Sequence, residues 1–224
     1  MKDIWLIIRK EWIGFSKSDR GIFFVYGILV LAWSFLLSTN ITMLLTGTEY
    51  LWLVFFSVIV SGNFSNSTFV AERMNGSLEI LLTSGVARNA ILSGKIAFVI
   101  IMSTVLGLVC YMLALVLYVV QGESLHLIYS ITPIGKEIIL YTIACFMNAT
   151  CGAWLSVRIN NPRLLHFINL FVLGLVVILH AVLSAVFTFT LWSLIIALAV
   201  CGVLFYVFAV RDFGSERVIQ PVVY

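Results

Sequence analysis

LLHFINLFVLGLVVILHAVLSAVFTFTLWSLIIALAVCGVLFYVFAV, residues 164–210, runs for 47 positions without an aspartate, glutamate, lysine or arginine. A helix needs about 20 mostly apolar residues to cross about 30 Å of hydrocarbon. This run therefore holds two membrane-spanning helices and a tight turn, which the sequence places near Ser184–Thr190. Four more charge-free runs lie at 21–48, 50–71, 96–122 and 138–157, each long enough for one helix. The count is six spans in an all-α membrane protein.

Composition agrees. The chain is 62% hydrophobic and 10% charged, whereas a soluble domain carries about 25% charged residues. One bundle uses up the 224 residues, which leaves no room for a soluble catalytic domain. The charge of +3 matters less than where it lies. Lys2, Arg9, Lys10, Lys17 and Arg20 precede span one, and Arg73, Arg88 and Lys95 lie between spans two and three. Arg158 and Arg163 separate spans four and five, Arg211 and Arg217 follow span six, and only Lys136 falls on the other side. The positive-inside rule then puts both ends in the cytoplasm, an orientation that needs an even number of spans.

Cys110, Cys145, Cys151 and Cys201 all fall within expected spans without metal-ligand spacing, and read as small buried residues. The first long apolar run has no A-x-A-like site after it, so no cleavable signal is expected. Residues 1–20 form a separate unit. Ile4, Trp5, Ile8, Trp12 and Phe15 share an arc of about 100°, with Lys2, Arg9, Lys10 and Lys17 opposite. This is the pattern of a helix lying in the head-group plane. Residues 21–210 make the six-span domain and 211–224 a cytoplasmic tail. The outer connections, Asn40–Glu49 and Gln121–Glu137, are lean; Leu125, Ile128 and Tyr129 suggest a short helix resting on the outer leaflet. No internal repeat is present.

The most polar internal connection is 71–89, within A-E-R-M-N-G-S-L-E-I-L-L-T-S-G-V-A-R-N-A-I-L-S-G-K (Ala71 to Lys95). Gly76 breaks the incoming helix, and Ser77 is the natural N-cap of a new one. Glu79 in its first turn suits the helix dipole. Leu78, Leu81 and Leu82 give a small apolar face, Gly85 ends the helix, and Asn89 is the expected cap of span three.

The run Glu72-Arg73-Met74-Asn75-Gly76-Ser77-Leu78-Glu79-Ile80-Leu81-Leu82, followed by Arg88, Ile91, Leu92, Gly94 and Lys95, resembles the motif of type-2 ABC-transporter permeases. There an acidic–basic pair precedes G-[ST]-L-E-x-L-L, and I-L-x-G-K enters the third helix. Ser84-Gly85 stands where proline is frequent. The resemblance implies a dimer, homo- or heteromeric, of two permease subunits above two cytoplasmic ATP-binding subunits, which carry ATP and Mg²⁺; no cofactor of the chain's own is implied. It makes Glu72, Arg73, Gly76, Ser77, Leu78, Glu79 and Leu82 the ATPase-coupling residues. Glu72 and Arg73 either contact the ATPase or pin the loop to its own bundle. The chain itself lacks a phosphate-binding loop: G-x-x-x-x-G-K-[ST] needs glycine at Asn89 and a hydroxyl residue at Ile96.

A pathway also needs polar surface at membrane depth. Asn63, Asn66 and Ser67 in span two, Asn148 in span four and Asn169 in span five are the candidates, either for lining a pathway or for bonding neighbouring helices. Asn63 and Asn66 share a face at i, i+3. No acidic or basic residue is expected deep in a span, which argues against a proton-coupled carrier. His166 and His180 lie at opposite ends of span five, too far apart to share a metal. No H-E-x-x-H or G-x-S-x-G falls within a span, so an intramembrane enzyme is disfavoured, and nothing points to nucleic acid. The B-type subunit of the haem exporter of cytochrome c maturation has similar length and a related G-S-L-E loop. The acidic–basic pair and I-L-x-G-K fit the general permease better. A membrane assembly or channel-like protein without an ATPase is the remaining alternative.

Overall fold

A computed structural model of the protein describes residues 2–17, 20–39, 50–122, 134–159, 161–186 and 191–213. Among them there is helix and no strand. The elements are α1 (Lys2–Ser16), α2 (Arg20–Thr39), α3, α4 (Ser77–Thr83), α5 (Arg88–Val120), α6 (Ile134–Arg158), α7 (Pro162–Val186) and α8 (Leu191–Phe213). Helix α3 begins as Tyr50–Ser65, widens into a π turn at Asn66–Val70 and closes as Ala71–Met74.

Five helices are long and apolar enough to cross a membrane: Trp52–Met74, Arg88–Val120, Gly135–Arg158, Arg163–Leu183 and Leu191–Phe213. The chain is a multi-pass helical membrane protein. Helix α2 adds a shorter apolar stretch, Phe24–Thr39. The expected outer connection at 40–49, the outer-leaflet helix of Leu125, Ile128 and Tyr129, the turn residues 187–190 and the tail beyond Phe213 lie outside the described residues.

Burial separates inner helices from outer ones. In α3 and α6, 72% and 67% of the spanning residues are enclosed by protein, against 17% in α7. Helix α6 packs against α3, α5, α7 and α8, and α5 in turn carries α1 and α2. Small residues make the centre possible: Ala144, Cys145, Ala149, Cys151, Gly152 and Ala153 on α6 are all buried. In lipid, where apolar side chains gain nothing by leaving one hydrocarbon phase for another, such close backbone approach is what holds helices together. A Cβ on Gly202 would come within 2.6 Å of the Phe146 ring and 3.3 Å of the Met147 Cα, so α8 lies close against α6.

Helix α1 docks differently from its helical-wheel reading. Trp5 and Trp12 are exposed, as an arc turned towards lipid requires, but Ile7 is fully buried and Glu11 is 9% exposed. A second face, Ile7–Glu11–Phe15, is therefore seated on the bundle. Gly94 of α5 provides the seat: a Cβ there would fall 2.7 Å from the Ile7 Cβ and 3.2 Å from the Ile4 carbonyl. Replacing Gly94 with leucine is expected to lift α1 away. Overpacking at such a contact costs about 1–3 kcal/mol. Faster labelling of an Ile7→Cys reporter in the Gly94→Leu background would show it, whereas unchanged labelling would mean that α1 does not depend on this contact.

Candidate functional site

Four charged side chains from three helices meet where α1, the end of α3 and the start of α5 converge. Lys95, two turns into α5, has no exposed surface. Its ammonium donates to Glu11 Oε1 at 2.8 Å, to Glu72 Oε2 at 2.6 Å and to the Thr68 carbonyl at 2.9 Å. Three N–H groups meet three acceptors, which is the condition for keeping an ammonium inside protein. The Thr68 carbonyl lies within the π turn of α3, which brings it to face α5. Lys10, at the rim, donates to Glu72 Oε1 at 2.6 Å and to Glu11 Oε1 at 3.2 Å. Two cations thus balance two carboxylates. Partial burial pushes the Lys10 ammonium down, but the Glu72 hydrogen bond and the Glu11 charge outweigh it, so its pKa stays above the ordinary lysine value. A raised lysine pKa contributes stability that is lost only as alkaline pH passes through the folded value, so this pair is constant near neutrality.

Arg73 is tied down on the opposite side. Its Nη1 donates to the carbonyls of Ser156 (2.8 Å) and Val157 (2.9 Å), in the last turn of α6. A cation there satisfies carbonyls that the helix leaves open and complements its dipole. Glu72 and Arg73 accordingly bind the base of the 71–89 loop to the bundle, one through α1 and α5, the other through α6. The basic Arg158 at the same end pairs with Asp212 of α8 at 2.7 Å.

Beyond this anchor the chain turns at Gly76 (φ +71°), forms α4, and turns again at Gly85 (φ +79°). Leu78 is buried and Leu81 and Leu82 are half-buried, while Ile80 is 73% exposed. Two capping expectations need correction. Ser77 is the first residue of α4 and Gly76 holds the cap position; the Ser77 hydroxyl donates back to the Glu72 carbonyl at 3.3 Å. Asn89 does not cap α5, which starts at Arg88 with Ala87 in the cap position and no side-chain bond. Glycine needs no side-chain cap to take the left-handed turn, and that chain reversal sets where α4 begins.

The polar residues of the spans separate into two groups. Asn63 and Ser67 line a cavity of about 490 Å³, together with Glu11, Phe15, Tyr26 and Glu72 among others. Asn66 instead hydrogen-bonds His166 of α7, beside Gly62, whose missing side chain makes room for the imidazole. The single face expected for Asn63 and Asn66 is divided, because residues 62 and 66 look towards α7 and residues 63 and 67, further round, look into the cavity. Asn148 donates to Ser57 Oγ at 2.9 Å, and Asn169 donates to the Asn148 carbonyl at 3.4 Å. These two join α3, α6 and α7, with both amide oxygens buried and unbonded among the described residues. The histidines have separate partners, His180 facing Ser193 Oγ at 2.8 Å.

Sequence reasoning missed the quartet. In the sequence Lys95 stands only as a basic residue at the I-L-x-G-K entry to span three, yet its side chain is completely enclosed, and nothing there gives Glu11 a role. The signal was present in α1, where Glu11 lies one turn after Ile7 on a face that is otherwise apolar. The fold and this geometry define a multi-pass helical membrane protein with a clamped loop at one end. No protein-family model and no curated protein matches the chain.

Proposed function

We propose that the chain is the permease subunit of an ABC exporter, with six spans, both ends cytoplasmic, α1 in the head-group plane and α4 as the coupling helix. In this reading the domain division is 1–20, 21–210 and 211–224, with 71–89 as the coupling loop. Two such subunits form the pathway, and a separate ATP-binding subunit carries ATP and Mg²⁺.

The observation that supports this best is the mechanical character of α4. It is a short helix between two left-handed glycines, with Ile80 73% exposed, and its base is clamped by Glu72 and Arg73 to three other helices. An exposed apolar residue on a short helix suits insertion in a partner's groove. A rigid base lets force applied to α4 reach α1, α5 and α6 instead of being absorbed in the loop. The exposed Trp5 and Trp12 suit head-group placement of α1. Helix α2, 20 residues from Arg20 to Thr39, has the length of a sixth span.

Extraction from source membranes in mild detergent, followed by native mass measurement, tests the reading. Two copies of the 25.0 kDa chain with two ATP-binding subunits are expected, with ATP hydrolysis in lipid. A chain that emerges with no nucleotide-binding partner would refute it.

A further inference from the structure

The cavity beside the charge quartet has the chemistry of a lipid head-group site. Its volume, about 490 Å³, falls in the range of small-molecule pockets. One wall is apolar: Phe15, Val25, Leu29 and Phe98. The other is polar and hydrogen-bond accepting, with Glu11 and Glu72 beside Asn63, Ser67 and Thr68. Both lysine contacts of Glu11 fall on Oε1. Its second oxygen has no hydrogen bond among the described residues, although Glu11 is 91% buried (9% exposed). Among the described residues no lysine or arginine lines the cavity; Lys10, 41% exposed, is joined to its lining through Glu72, 2.6 Å away. The site therefore offers an acceptor to an ammonium, a cation to a phosphate next to it, and an apolar wall to a chain. Val25 and Ser67 on the lining are exposed, so the cavity reaches the surface between α2 and α3.

We propose that this cavity binds phosphatidylethanolamine from the surrounding leaflet, with its ammonium on Glu11, its phosphate on Lys10 and an acyl chain along Val25 and Leu29. The inference rests on the reading that α1 lies at head-group level. It assigns the lipid a role distinct from cargo: bound there, it braces the quartet that holds the base of the coupling loop. Phosphatidylcholine has the same phosphate but no N–H to donate, and phosphatidylglycerol has hydroxyls but no cation, so both bind more weakly.

The test uses the purified full-length chain in nanodiscs of phosphatidylcholine alone, or of phosphatidylcholine mixed with phosphatidylethanolamine or phosphatidylglycerol. Phosphatidylethanolamine is expected to raise the melting temperature by roughly 5 °C over the other two. Gly14 also lines the cavity, and a Cβ there would meet nothing within 4 Å. Gly14→Leu fills the space and removes the preference while the helical signal stays intact. Should that variant fold poorly, Ser67→Leu makes the same measurement from α3. Equal stabilisation by all three lipids, or a preference that survives both substitutions, overturns the proposal. Quenching of Trp12 by brominated phosphatidylcholine, judged against Trp12→Phe, reports the placement of α1 separately. Absence of quenching would sink that placement and the lipid site with it, whereas quenching without lipid preference sinks the lipid site alone.

Discussion

Lys95→Met is expected to cost the protein about 3–5 kcal/mol, the penalty of removing one partner from a buried ion pair. Methionine matches the lysine stem in length, so the packing around Phe69 and the α3–α5 contact has no reason to change. What changes is that Glu11 and Glu72, 9% and 17% exposed, are left with only Lys10 between them, and the Thr68 carbonyl loses its donor. Two carboxylates held close with one cation repel each other, and α1 is the element free to leave. The melting temperature in detergent should fall on the order of 10 °C. Adding Glu11→Gln restores charge balance and should recover part of the loss, a non-additivity that marks a shared network. If Lys95→Met melts like the wild type, the quartet is not what holds α1 to the bundle.

Ile80→Asp is expected to abolish coupling without harming the fold. The side chain is 73% exposed, so the substitution removes little internal packing and should leave the stability within about 0.5 kcal/mol of the wild type, as surface changes do. In a groove of a partner, however, it would bury a carboxylate in place of a butyl group, and truncating an interface anchor typically costs at least about 2 kcal/mol. On the proposed function, stimulation of a partner's ATP hydrolysis by this chain should fall tenfold or more, with Glu79→Lys acting in the same direction. Full stimulation in both variants would remove α4 from the contact.

The sequence reveals the helices because their signal is local. A run such as 164–210 carries its own length and apolarity, and most of it is taken up by α7, which ends at Val186, and α8, which begins at Leu191. Gly76 and Gly85 were legible for the same reason: only glycine reverses the chain there without strain. The quartet is a different kind of object. Glu11 and Lys95 are 84 residues apart, and Lys10 and Glu72 are 62 apart, so no window of sequence contains them together. Each charge alone looks like a topological flank of the kind that every membrane helix carries. The π turn at Asn66–Val70 leaves no local mark either, though it presents the Thr68 carbonyl to Lys95. Asn63 and Asn66 stand out in the sequence by residue type, but the division between cavity and His166 depends on where α7 lies, which periodicity in one helix does not contain.

The central claim, that α4 seats in an ATP-binding subunit, is tested most directly by a photo-crosslinking residue placed at position 80, with a control at position 28. Both are exposed and apolar, at 73% and 52%, on different helices. Irradiation of native membranes should join position 80 to a nucleotide-binding protein, with the adduct diminished when ATP is trapped, and should join position 28 to lipid. Adducts from position 80 confined to lipid or to this chain itself would contradict the claim.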